Sequence, residues 1–305
     1  MKSDQSIKNI KAIVLDLEGA LLNSMKDISP AASRILRDMH DRGVMIILCT
    51  SQNPVLISRR LRSWQLDDCI PYIIGRWGSS LLNRYTGKLI CLAALPEASI
   101  ENLMTKAAAD NVAVCLQQGR SLYTLKNTFL TSLLALKQRK AVVNAPFSSD
   151  NPVSSLLITG WPQDLKKLAA NLEDEAITLH PAGQFVHSVT SSAASFDQAV
   201  NRLLEKHELQ PEEVLTIAMK PEFAPLFDST RGAAMKNADP ILFESARWIT
   251  KYPAAQDGVA YFMNQALISG EFLFGNPACL VHLPEHLDQA AGQSLPTEAS
   301  AGESA

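Results

Sequence analysis

The chain has 305 residues, 47% of them hydrophobic and 19% charged, which provides for a packed core and argues against disorder as the default. A net charge of −3 and a pI near 6.1 leave no basic footprint for nucleic acid. No segment carries the apolar run that spans a bilayer, and no signal peptide is visible, so neither a membrane nor an export role is expected.

The first apolar run, residues 11–16, ends in Asp16 and is followed by Glu18 and Gly19; it predicts a buried parallel strand that delivers a carboxylate to its C-terminal end. Ser29-Pro30 is an N-cap with a first-turn proline. The helix it opens carries Ile35, Leu36 and Met39 at helical spacing and stops at Gly43. Residues 44–50 predict a second buried strand ending in Thr50. Asn53-Pro54 opens a helix running to Leu66, and residues 71–75 give a third strand. Alternation of this kind points to a doubly wound parallel sheet, in which sites form beyond the strand C-termini.

From about residue 84 the rhythm changes. A hairpin turn at 84–88, a strand at 152–160 and a helix at 164–172 predict an inserted α/β cap domain over 84–185. The core rhythm resumes with a helix at 195–207, a strand at 213–218, a helix at 222–230 and a short strand at 232–235 before Asp239-Pro240. The predicted core is therefore discontinuous, 1–83 plus 186–275, and the polar tail 284–305 reads as disordered. The five cysteines are scattered with no CxxC pair, which implies reduced thiols in a cytoplasmic protein and no zinc site.

Asp16-Leu17-Glu18-Gly19 after one strand and Thr50-Ser51 after the next resemble the haloacid-dehalogenase superfamily, in particular its Cof-type class IIB branch. Ile28-Ser29-Pro30, Arg42-Gly43-Val44, the stretch from Pro71 to Gly78, Gly232 to Met235 with Asn237-Ala238, and Asp257-Gly258-Val259 extend the likeness to about residue 270. The resemblance implies a Rossmann-like core with a cap inserted after the third strand. It also implies phosphoryl transfer through an aspartyl-phosphate on Asp16, with an acid/base two residues on and a hydroxyl, a lysine and magnesium holding the phosphoryl group.

On this chain the acid/base position holds Glu18, one methylene longer than the family's aspartate, and the phosphate-binding hydroxyl maps to Thr50, with Ser51 beside it. The family lysine position holds Phe196, and there is no lysine between Lys167 and Lys206. Both magnesium-site aspartates are replaced, by Met219 and Phe223, which leaves Asp16, Glu18 and Glu222 as the candidate metal ligands. The family's Asn-Gly pair reads Trp77-Gly78. Lys220 is either a solvated surface charge or, more sharply, a cation in the vacated metal position that pairs with Asp16 and contacts phosphate.

Two main functions are implied. One is a catalytically impaired homologue that binds a small phosphorylated metabolite, a protein partner or a second copy of itself, as monomer or homodimer, with no metal cofactor. The other is an active Mg2+-dependent phosphohydrolase on small phosphorylated metabolites of the sugar phosphate class. A purely structural subunit is the third.

Overall fold

The computed structural model of the chain describes residues 9–146, 152–269 and 273–274. The tail 284–305 and Cys279 lie outside the described residues.

Eight strands form the larger sheet. In spatial order they are Trp248–Ile249, Arg231–Ala234, Val214–Ala218, Ala12–Asp16, Met45–Cys49, Tyr72–Gly75, Ser80–Asn83 and Lys88–Cys91. The first six run parallel and the last two antiparallel. The inner strands are apolar without alternation because helices cover both faces: Ile13, Val14, Leu15, Ile46, Ile47 and Leu48 are fully buried. The helix Pro30–Asp41 is capped by Ser29, whose hydroxyl accepts from the Ala32 N–H at 3.0 Å. It buries Ala32, Ile35, Leu36 and Met39 on one face, each large side chain contributing about 1.5–3 kcal/mol. Gly43, at φ +80°, turns the chain out of the helix.

A second sheet of six strands, ordered Ile177–Gly183, Val186–Ser191, Leu156–Thr159, Ala113–Gln118, Ser121–Thr124 and Ala141–Asn144, has its own apolar core around Leu103, Val112, Ile158, Leu165, Leu168 and Val189. The expected boundaries shift at both junctions. Lys88–Cys91, expected in the cap, pairs with Ser80–Asn83 in the large sheet, and Val186–Ser191, expected in the core, pairs with Ile177–Gly183 in the second. In each case hairpin pairing with the preceding strand decides membership. Two helices are also shorter than expected. The one opened by Asn53-Pro54 ends at Arg60, not Leu66, and the segment 222–230 divides into a tight turn Pro221–Phe223 and the helix Ala224–Ser229.

Candidate functional site

Asp16 ends the central strand of the large sheet and is 1% exposed. From there the chain makes one wide helical turn, Leu17–Leu21, closed by the Leu22 N–H donating to the Leu17 carbonyl five residues back at 2.9 Å. The Asp16 carboxylate caps this turn. It accepts from the Gly19 N–H at 3.1 Å and from the Met219 N–H, at the end of the neighbouring strand, at 3.4 Å. Glycine is required at 19 because a Cβ there would stand 2.1 Å from Asp16 Oδ2 and 2.7 Å from Met219 Cβ. Burial raises the Asp16 pKa to about 6; Lys220 pulls it down, Glu18 pushes it up, and the two N–H bonds lower it.

Glu18 reaches across to the next strand end. Its Oε1 accepts from the hydroxyl of fully buried Thr50 and from Gln52 Nε2 at 3.1 Å, and its Oε2 accepts from the Ser51 N–H at 3.3 Å. Lys220 completes the cluster: its ammonium lies 3.6 Å from Glu18 Oε2 and 3.9 Å from Asp16 Oδ1. One cation thus spans two carboxylates, and Lys220 is not a free surface charge.

Asp16, Glu18, Thr50, Ser51 and Lys220 therefore meet at one rim of the sheet, Ser51 through its backbone. Glu222 does not join them. It is exposed on the turn Pro221–Phe223 because the buried position of that turn goes to Phe223. Phe223 stacks on Phe196 at 4.8 Å with the rings 18° apart, so the lysine position of the resemblance is an aromatic pair inside the core. Met219 contributes its N–H to Asp16, and its Sδ accepts from Asn237 Nδ2 at 3.3 Å. Gly19, part of the first motif, belongs to the site, and so does Gln52, which was not among the expected site residues. Gln52, directly after Thr50-Ser51, gave only its position as a signal.

The expected magnesium ligands Asp16, Glu18 and Glu222 do not form a set. Among the described residues no group of three or more His, Cys, Asp or Glu side chains is placed to share a metal. A hard divalent cation takes about six oxygen ligands. This rim offers two carboxylates already facing an ammonium, with a thioether beside them, and that donor set does not fit magnesium.

The second sheet meets the first beside this rim through a few contacts. Trp77 stacks on His180 at 4.1 Å with the rings 12° apart, and Asn53 Nδ2 donates to Gln117 Oε1 at 3.3 Å. Burial lowers the His180 pKa to about 4, so the stacked imidazole is neutral at pH 7.

A sequence profile of the haloacid dehalogenase-like hydrolase family matches residues 13–263. YxeH of Bacillus subtilis (strain 168) is 21% identical over 269 residues, covering 85% of this chain and 99% of that one. A haloacid dehalogenase-like hydrolase from Bacteroides thetaiotaomicron superposes with a TM-score of 0.74 at 21% identity, covering 84% of this chain and 99% of its own. TM0651 from Thermotoga maritima gives 0.71 at 18% identity, over 84% and 97%. BT1666 from Bacteroides thetaiotaomicron, described among phosphatases of the superfamily, gives 0.66 at 16% identity, over 87% and 97%.

Proposed function

The chain belongs to the haloacid dehalogenase-like hydrolase family, and on that premise we propose that it is a catalytically impaired phosphatase homologue that acts by binding a small phosphorylated molecule. The observation that carries this reading is the internal satisfaction of the rim. Glu18 occupies the Thr50 hydroxyl and the Ser51 N–H, the groups that would hold phosphoryl oxygens, and Lys220 sets its one positive charge against both carboxylates. A phosphoryl group could reach Asp16 only after Glu18 gave up its three hydrogen bonds. A Glu18 fixed in this way is also not free to pass a proton to a leaving oxygen. Phe196 and Phe223 supply no charge to the transferred group.

The alternative, an active phosphohydrolase using an Asp16 aspartyl-phosphate, draws support from one feature: the Gly19 and Met219 N–H groups orient Asp16 at the strand end. Aryl-phosphate hydrolysis separates the two. The binding reading expects no turnover above buffer, with or without magnesium. Magnesium-dependent turnover that vanishes in Asp16→Asn would establish the alternative.

The partner in this reading is a metabolite rather than a protein, and the compartment is a reducing one such as the cytoplasm. Free thiols at Cys49, Cys69, Cys91 and Cys115 fit that setting. Among the described residues no helix is long and apolar enough to cross a membrane.

A further inference from the structure

Arg76 follows the strand Tyr72–Gly75, where the two sheets join, and its side chain is only 7% exposed. Among the described residues its guanidinium makes one hydrogen bond, Nη1 to Ser154 Oγ at 2.7 Å, and no ion pair. A guanidinium carries five N–H donors in a planar fork and stays charged at neutral pH even though burial lowers its pKa to about 10. A buried charge of this kind is costly unless a counter-ion meets it. Cys91 lies close, but burial raises its thiol pKa, so it offers no anion at pH 7.

Two more cations come near it, because Gln52, whose carbonyl accepts from the Arg76 N–H, is followed by Asn53, which caps the helix carrying Arg59 and donates to Gln117 in the hairpin that holds Lys140. Lys140 is half-buried with its ammonium on the Gly119 carbonyl at 2.5 Å, and Arg59 is exposed. Neither has an ion pair among the described residues. Burial first, then the fields of Arg59 and Arg76, lower the Lys140 pKa. The backbone is strained at the same point: Arg76 and Trp77 are consecutive non-glycine residues at φ +53° and +55°. The junction adjoins the rim without being part of it. The Arg76 N–H donates to the Gln52 carbonyl at 3.1 Å, while the Gln52 side chain turns to Glu18.

We infer that Arg76, Lys140 and Arg59 form a binding site for a phosphate group of a small ligand at the junction of the two sheets, distinct from the Asp16 rim. The guanidinium fork presents its unused donors to two phosphate oxygens, and Lys140 and Arg59 add point charges. This inference rests on the binding reading above only for the choice of phosphate as the anion. The residues differ, so the two fail separately: turnover at Asp16 would sink the first and leave this site standing.

The test titrates the full chain with inorganic phosphate and, separately, citrate, following thermal stability and calorimetric heat. Phosphate should raise the melting temperature of the wild type. Arg76→Met should abolish that rise and weaken phosphate binding by at least about tenfold, the scale of a lost charge-assisted contact. Its ligand-free melting temperature should be unchanged or higher, because an unpaired buried charge is gone. Lys140→Gln combined with Arg59→Gln alters less buried positions and should also weaken phosphate binding, which decides the matter if Arg76→Met folds poorly. Thr50→Val, which removes the rim's own hydroxyl, reports whether phosphate sits at the rim instead. The inference is overturned if the wild type does not respond to phosphate, if it responds to citrate alone, if the Arg76 and Lys140/Arg59 variants both bind like wild type, or if Thr50→Val is the change that abolishes binding.

Discussion

The Asp16 rim and the Arg76 junction are neighbours that treat charge in opposite ways. At the rim two carboxylates share one ammonium and take up the Thr50 hydroxyl, the Gln52 amide and the Gly19, Ser51 and Met219 N–H donors. At the junction a buried guanidinium finds, among the described residues, a single serine hydroxyl. A family fold usually recognised by its strand-end acids has here closed the acid site on itself and left the uncompensated charge next door. A charge cluster that satisfies itself gains little from a ligand, whereas one that does not is stabilised by any oxyanion that reaches it.

The largest expected effect tests whether the rim has been rebuilt as core. Phe196 is 4% exposed and stacked on Phe223, so Phe196→Ala should cost about 3–5 kcal/mol in denaturant unfolding. Phe196→Lys, which restores the residue type of the resemblance, should destabilise comparably and produce no aryl-phosphate turnover. Turnover in that variant would show that one residue, and not the self-satisfied rim, is what withholds activity.

Next in size is the ammonium bridge. Lys220→Ala leaves Asp16 and Glu18 without a cation; Asp16 is buried but Lys220 and Glu18 are half-buried, so the loss should be about 1–3 kcal/mol, between an exposed and a fully buried pair. Asp16→Asn in the same chain should return most of that loss, with a coupling of roughly 1–3 kcal/mol between the two positions. Strictly additive effects would mean that the 3.6 Å and 3.9 Å approaches carry no energy.

The same carboxylate should give a signature in pH. The Asp16 pKa is raised from 3.8 to about 6, so between those values the native state holds a proton that the unfolded chain has released. Stability therefore falls as pH rises through that window, by about 3 kcal/mol in all, at 1.36 kcal/mol per pKa unit. Asp16→Asn cannot titrate and should gain on the wild type over the same range, then run parallel above it. Denaturant midpoints for both proteins from pH 4 to 7 make the measurement, and parallel curves throughout would refute the raised pKa.

Much of the rim was legible in the sequence because strand ends are. An apolar run ending in Asp16, another ending at Thr50, and a third followed by Met219-Lys220 converge wherever parallel strands lie side by side. Which charges would meet was legible in part: a lysine beside a vacated metal position suggested the bridge to Asp16. That Glu18 would turn to Thr50, 32 residues away, was not, since an extra methylene sets a reach and not a direction. Sheet membership at 88–91 and 186–191 also escaped, because hairpin pairing there overrides the change in rhythm used to place the boundaries. Arg76 gave no sign in the sequence. Its burial comes from the packing of two sheets, and a lone arginine after a strand is ordinarily exposed.

The smallest expected effect probes the junction's backbone. Trp77 sits at φ +55°, a conformation that costs a bulky residue about 1 kcal/mol or more and that asparagine tolerates. Against this stands its stack on His180 at 4.1 Å, where an aromatic pair contributes about 0.5–1.5 kcal/mol beyond area burial. Trp77 is only half-buried, so its loss leaves no large cavity. In Trp77→Asn the relief and the loss nearly cancel, and the unfolding free energy should change by less than about 1 kcal/mol. The ring stack also ties the second sheet to the first, so protection of backbone amides near His180 should drop even where global stability does not. A large global loss would mean that the stack holds the sheets together, and that the positive φ at Trp77 is a consequence of that contact.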